Sequence, residues 1–120
     1  MTSIVAVREE WHDEVPVARI EGEVDSANVA DVGARLRRLV TNRSMRLVVD
    51  LTATSYLDSA GINLLFALGE EMRGRQQRLA LVVTDTSPIA RMISLTGLDQ
   101  SLPVREALAE ALAEVGEDRP

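Results

Sequence analysis

The segment Tyr56-Leu57-Asp58-Ser59-Ala60-Gly61 places a hydroxyl beside a carboxylate and just ahead of a glycine. A serine in such a setting can attack a carbonyl, cap a helix or accept a phosphate. Attack needs a base within hydrogen-bond reach, and the one histidine, His12, lies far upstream. The Gly-x-Ser-x-Gly elbow also fails, because Leu57 stands where its first glycine belongs. We therefore expect no catalytic residue and no enzyme. Capping is the simplest role, since a Ser or Asp at a helix start accepts a bond from the second or third helical amide, worth about 1 kcal/mol. The same free amides and the positive end of the helix dipole can also accommodate a phosphate on that oxygen. Such a group would add about −1.5 to −2 units of charge beside Asp58. If cap and phosphate share the helix-end amides, modification should alter what the surface binds more than how the domain folds. Position by itself supports only the cap.

Composition narrows the chemistry further. The chain has 120 residues, enough for one domain with one hydrophobic core. It has no cysteine, which removes disulfides, thiol catalysis and thiolate metal sites. All 13 basic residues are arginine, so Schiff-base chemistry and a P-loop lysine are excluded. A phospho-Asp receiver built on Asp50 would lack its lysine. A metal site would have to be made from carboxylates and one histidine, and no spacing supports it. No cofactor is expected. A net charge of −6 disfavours nucleic acid. The clusters Arg35, Arg37, Arg38 and Arg73, Arg75, Arg78 read as solvated helix ends. No run approaches the ~20 apolar residues that span a bilayer, and Met1–Glu10 lacks the basic flank of a signal peptide. A cytoplasmic protein without a membrane partner is expected. Aromatics make up only 2%, so the core must be aliphatic, with Trp11, Tyr56 and Phe66 its only large rings.

The elements that must position Ser59 follow from periodicity. Ile4–Val7 and Val15–Ile20 read as an antiparallel pair joined by a polar loop longer than a tight hairpin, with Pro16 at a strand start or edge. Asp25, Ser26, Ala27 and Asn28 offer caps for a helix carrying Val29, Val32, Leu36, Leu39 and Val40, ended at Asn42. Met45–Leu51 is a strand closed by Asp50. The next helix starts near Ser59, carries Ile62, Leu65, Phe66, Gly69 and Met72, and ends near Gly74. Leu64 and Leu68 lie at the fringe of that stripe, available to core or partner. Leu79–Val83 is a strand, and Thr86-Ser87-Pro88 starts a short helix that Gly97 ends. A short strand near Leu102 and a helix carrying Val104, Leu108, Leu112 and Val115 close the domain. Residues 1–115 are thus expected to form one α/β domain, a mixed β-sheet of four to five strands backed by about four α-helices. A polar tail, 116–120, follows. No repeat, linker or low-complexity tract is apparent.

Three segments in this order resemble one family: Ile20-Glu21-Gly22-Glu23-Val24-Asp25; Val48-Val49-Asp50-Leu51 followed by Leu57-Asp58-Ser59-Ala60-Gly61; and Ser94-Leu95-Thr96-Gly97-Leu98. They look like the STAS domain of anti-sigma factor antagonists, also called anti-anti-sigma factors. The resemblance covers nearly the whole chain. It implies a phosphoprotein of transcription regulation that works by partner switching: the unmodified form binds an anti-sigma factor and so frees a sigma factor. In such systems the anti-sigma factor has serine kinase activity and a separate phosphatase reverses the modification. The resemblance makes Ser59 the phosphorylation site, and Asp25, Ser26, Asp58, Ser59, Ala60, Gly61 and Ile62 the partner-binding residues. Gly61 can serve either close approach of a partner's backbone or packing of the first helical turn. Asp25 can contact the partner, cap the first helix, or both. Many members carry a second hydroxyl after the acceptor, where this chain has Ala60. Thr52, Thr54 and Ser55 are poorer acceptors because they do not start the helix. The alternative within the family is an unphosphorylated interaction subunit or scaffold of a signalling or lipid-transport complex.

Overall fold

The computed structural model describes residues 4–40 and 45–116. Strand β1 (Val5–His12) turns tightly into β2 (Val15–Val24), and helix α1 (Val29–Leu39) follows. Next come β3 (Arg46–Asp50), β4 (Thr54–Leu57) and α2 (Ser59–Gly74). The chain ends with β5 (Arg78–Val82), α3 (Ala90–Thr96), α4 (Leu98–Ser101), β6 (Val104–Arg105) and α5 (Leu108–Gly116).

The sheet runs β1-β2-β3-β5-β6, and β4 also pairs with β2. Among the described residues only β1 and β2 are antiparallel, whereas the other pairs are parallel. One edge of β2 therefore serves two strands in succession. Val17–Arg19 pair with Val48–Asp50 of β3, and Gly22–Val24 then pair with Thr54–Leu57 of β4. Between them the chain leaves the sheet at Leu51 and returns at Thr54, whose hydroxyl donates to the Ile20 carbonyl at 2.7 Å. Asp50 closes the exit by accepting from the Thr52 amide at 2.9 Å and the Thr52 hydroxyl at 2.7 Å. The β2–β4 register shifts at Gly22, which has φ +108°. A Cβ there would stand 2.2 Å from the Ile4 carbonyl oxygen, so only glycine fits.

Alternation along the strands divides the core in two. Ala18, Ile20, Leu47, Val49, Leu79 and Leu81 face the layer of α1 to α4. Val15, Val17, Val48, Ala80 and Val82 face Ala111 and Val115 of α5. The sheet is thus covered on both faces, which is why β3 and β5 read as continuous apolar runs. Helix α1 is tied to α2 by a two-pronged ion pair, Arg37 Nε and Nη2 donating to Glu71 at 2.8 Å each.

Several sequence expectations need correction. The β1–β2 connection is tight, because His12 pairs with Val15 and Asp13 adopts φ 57°, a conformation aspartate tolerates. Thr54–Leu57, between the expected strand Met45–Leu51 and the helix from Ser59, forms a further strand whose partner is remote in sequence. The strand expected near Leu102 forms two residues later and takes Val104 from the last helix, which starts at Leu108. Six strands and five helices result among the described residues. Trp11 and Tyr56 are 56% and 47% exposed, which leaves the core almost wholly aliphatic. Asn42 and residues 117–120, the expected helix end and most of the tail, lie outside the described residues.

Candidate functional site

The parallel pairing of β2 with β4 sets Val24 beside Leu57, so the turns that follow the two strands emerge together. The Asp58 amide donates to the Val24 carbonyl at 3.2 Å, extending the ladder by one bond. Asp58 then holds two turns at once. Its Oδ1 accepts from the amides of Ala60 at 2.9 Å and Gly61 at 3.1 Å, while Oδ2 accepts from the Ser26 amide at 3.2 Å. Segments far apart in sequence are thereby joined through one carboxylate.

This geometry reassigns the cap. Asp58 has extended φ/ψ and a capping side chain, so Asp58 is the N-cap and Ser59 is the first helical residue. Ser59 is exposed, and among the described residues no hydrogen bond engages its hydroxyl. The expectation that one serine oxygen serves as both cap and acceptor is therefore wrong: the carboxylate satisfies the amides of Ala60 and Gly61, and the hydroxyl points to solvent. Ala60 is half-buried beside it.

The facing turn is equally well held. Asp25 Oδ1 accepts from the Ala27 amide at 2.9 Å, and the Asp25 carbonyl accepts from Asn28 at 3.2 Å and Val29 at 2.9 Å. Asn28 stands at the N-cap position of α1 but makes no side-chain cap bond. It clamps the turn backwards instead, accepting from the Asp25 amide at 3.1 Å and donating to the Glu23 carbonyl at 2.9 Å. This role was missed in the sequence, where Asn28 appeared only as one of several caps. Ser26 is exposed beside Asp58.

Two expected contact residues point inward. Ile62 is 4% exposed and belongs to the core, so its side chain does not contribute to a contact surface. Gly61 is buried, and a Cβ on it would stand 3.0 Å from Leu57 Cδ2 and 3.3 Å from Val24 Cγ1. The close approach that Gly61 permits is to the chain's own strand ends. Leu64 and Leu68 are likewise core residues, at 8% and 1% exposure. Tyr56, by contrast, stays half-exposed on β4 opposite Glu23 and adds a ring near the two turns.

His12 lies opposite Val15 at the far end of β2. At about 3.3 Å per residue, that end is roughly 30 Å from Val24, too far to act as a base for Ser59. Its Nε2 contacts Glu10 Oε1 at 3.1 Å. Among the described residues no group of three or more His, Asp or Glu side chains could hold a metal ion. Nor is any described helix long and apolar enough to cross a membrane.

A six-stranded mixed sheet with a serine exposed at the start of α2 defines a class, and the chain belongs to the STAS domain family, whose model matches residues 7–111. The anti-sigma-F factor antagonist RsfB of Mycobacterium tuberculosis is 33% identical over 104 residues, covering 87% of this chain and 84% of RsfB. A crystal structure of an anti-sigma factor antagonist from Mycobacterium paratuberculosis superposes with a TM-score of 0.86 at 30% identity, covering 95% of this chain and 96% of that one. The Bacillus cell fate determinant SpoIIAA in its phosphorylated form shares the fold, with a TM-score of 0.65 at 22% identity, over 92% of this chain and 99% of that one.

Proposed function

We propose that this chain is a cytoplasmic anti-sigma factor antagonist, not an enzyme, that binds an anti-sigma factor with serine kinase activity and releases the sigma factor it holds. Phosphorylation of Ser59 switches the antagonist off, and a phosphatase restores it. The observation that carries this reading is the exposed Ser59 hydroxyl at the first position of α2, unbonded among the described residues, beside a carboxylate, Asp58, that ties the start of α2 to the Ser26 amide. The contact surface consists of Asp25, Ser26, Asp58, Ser59 and Ala60. The names of its relatives and the existence of a phosphorylated form of SpoIIAA support the same reading.

The geometry explains how one phosphate can act without unfolding anything. Asp58 already neutralises the orphan amides of Ala60 and Gly61, so the phosphate is free to project from the surface. It adds about −1.5 to −2 charges next to Asp58 and turns an uncharged hydroxyl into a desolvation penalty for any partner that covers it.

The test is binding of the purified anti-sigma kinase to wild type, Ser59→Ala and Ser59→Asp. Ser59→Asp should weaken binding by about tenfold or more, roughly 1.4 kcal/mol per decade. Its thermal melt should stay within a degree or two of wild type. With Mg·ATP present, phosphate should map to Ser59 in the wild-type chain. Full-strength binding by Ser59→Asp, or a wild-type chain modified only elsewhere, would refute the switch.

A further inference from the structure

One tripeptide occurs twice at the carboxyl end of the sheet. Asp25-Ser26-Ala27 follows Val24 of β2, and Asp58-Ser59-Ala60 follows Leu57 of β4. Val24 and Leu57 are register partners, so the two copies stand side by side. Their hydrogen bonds correspond as well. In each, the aspartate Oδ1 accepts from the alanine amide two residues on, at 2.9 Å. In each, the aspartate carbonyl accepts from the amide four residues on, Val29 at 2.9 Å and Ile62 at 3.0 Å. Each serine therefore follows an aspartate that makes the same two bonds, although Ser59 opens α2 and Ser26 lies three residues ahead of α1, and both are exposed. The Ser26 amide bonded to Asp58 Oδ2 at 3.2 Å joins the copies directly.

We propose that Ser26 is a second phosphate acceptor for the kinase that modifies Ser59, used in place of Ser59 and never together with it. This rests on the reading of Ser59 as a kinase substrate. A kinase active site that accepts an aspartate held in this turn, an exposed serine and a small alanine meets both copies on one surface. In the transfer, Ser26 Oγ attacks the γ-phosphorus of ATP. The Oγ–P bond forms and the bond to the β–γ bridging oxygen breaks. ADP leaves, and the hydroxyl proton passes to a carboxylate base of the kinase.

The copies differ where preference should arise. Helix α2 begins at Ser59 itself, so its dipole compensates a phosphate there, whereas α1 begins at Val29, three residues beyond Ser26. Ser59 is thus the favoured acceptor. Exclusivity follows from the shared Asp58 carboxylate, since a second phosphate would add another anion on the neighbouring turn that is bonded to the same carboxylate.

Trypsin separates the two sites. Cleavage after Arg19 and Arg35 releases residues 20–35, in which Ser26 is the sole hydroxyl residue, and cleavage after Arg46 and Arg73 releases 47–73, which contains Ser59. Wild type, Ser59→Ala, Ser26→Ala and the double variant are incubated with Mg·ATP and the purified anti-sigma kinase, and the peptides are analysed by mass spectrometry. Both single variants alter exposed side chains and should melt with the wild type. Wild type should carry one phosphate, in 47–73. Ser59→Ala should carry it in 20–35 at a rate about tenfold to a hundredfold lower, as expected of a displaced acceptor. The double variant should carry none. Wild type labelled in 47–73 with Ser59→Ala unlabelled would overturn the Ser26 proposal and leave the Ser59 reading standing. Label absent from every chain, or persisting in the double variant, would overturn both. A doubly phosphorylated wild-type chain would overturn exclusivity.

Discussion

Removing the Asp58 carboxylate is the sharpest test of how the two turns are held. Asp58→Ala loses the cap on the Ala60 and Gly61 amides, worth about 1 kcal/mol. It also loses the favourable placement of an anion at the helix start, about 0.5 kcal/mol for a surface site. The tie to the Ser26 amide adds about 1 kcal/mol, at the lower end for a charged acceptor because Ser26 is exposed. The sum, about 2.5 kcal/mol, corresponds to a fall in Tm of about 10 °C for a domain of this size. Asp58→Asn keeps one acceptor oxygen for the cap but presents an NH2 group to Ser26 and carries no charge, so it should lose about 1.5 kcal/mol. Ser59→Ala is the internal control, and should cost less than about 0.5 kcal/mol because no bond engages the hydroxyl. Urea titrations followed by circular dichroism at neutral pH read all three. Ser59→Ala as damaging as Asp58→Ala would show that the serine is the cap after all. Asp58→Asn as damaging as Asp58→Ala would show that the cap contributes nothing.

Two further outcomes follow from the fold. Gly22→Ala should cost about 3 kcal/mol or more, since the new Cβ meets the Ile4 carbonyl oxygen at 2.2 Å and the backbone is left-handed, at φ +108°. A Tm within a few degrees of wild type would refute the bulge as a glycine requirement. The Glu71 carboxyl is held below its ordinary value chiefly by the hydrogen bonds from Arg37. A depressed carboxylate contributes fully above its unfolded pKa and loses that contribution as pH falls through its folded value. Glu71→Gln should therefore cost about 0.5 to 1 kcal/mol at pH 7, discounted for an exposed pair, and the difference from wild type should vanish in acid. A difference that persists unchanged in acid would refute the ion pair as its source.

Much of the site is legible in the sequence. Helix α2 was expected from Ser59 to Gly74 and runs over that span, because its apolar spacing and the aspartate-serine start are local signals. Gly97 ends α3 in the left-handed conformation expected of it, at φ 79°. Local signals were ambiguous where several residues compete for one role. Asp58 and Ser59 are both good caps, and the choice turns on backbone angles that sequence does not reveal. Strand β4 is not legible in the sequence because its burial runs buried, exposed, exposed, buried, without a clean period of two, and its register partners lie 32 and 33 residues away in β2. Val104 is ambiguous in the sequence because an apolar residue four before Leu108 fits a helical stripe as well as it fits a two-residue strand.

By itself the sequence determined the chemistry available: no thiol, no lysine, one remote histidine, and a serine beside an aspartate at the start of a strongly patterned helix. It also determined the aliphatic core and the mixed α/β class, because burial periodicity is written residue by residue. Tertiary structure alone decided which groups meet. Pairing of β2 with β4 is a long-range contact, and no local preference specifies that Val24 stands beside Leu57. That pairing turns two separated Asp-Ser-Ala segments into one surface, assigns the cap to Asp58, leaves the Ser59 hydroxyl free and takes Ile62 into the core.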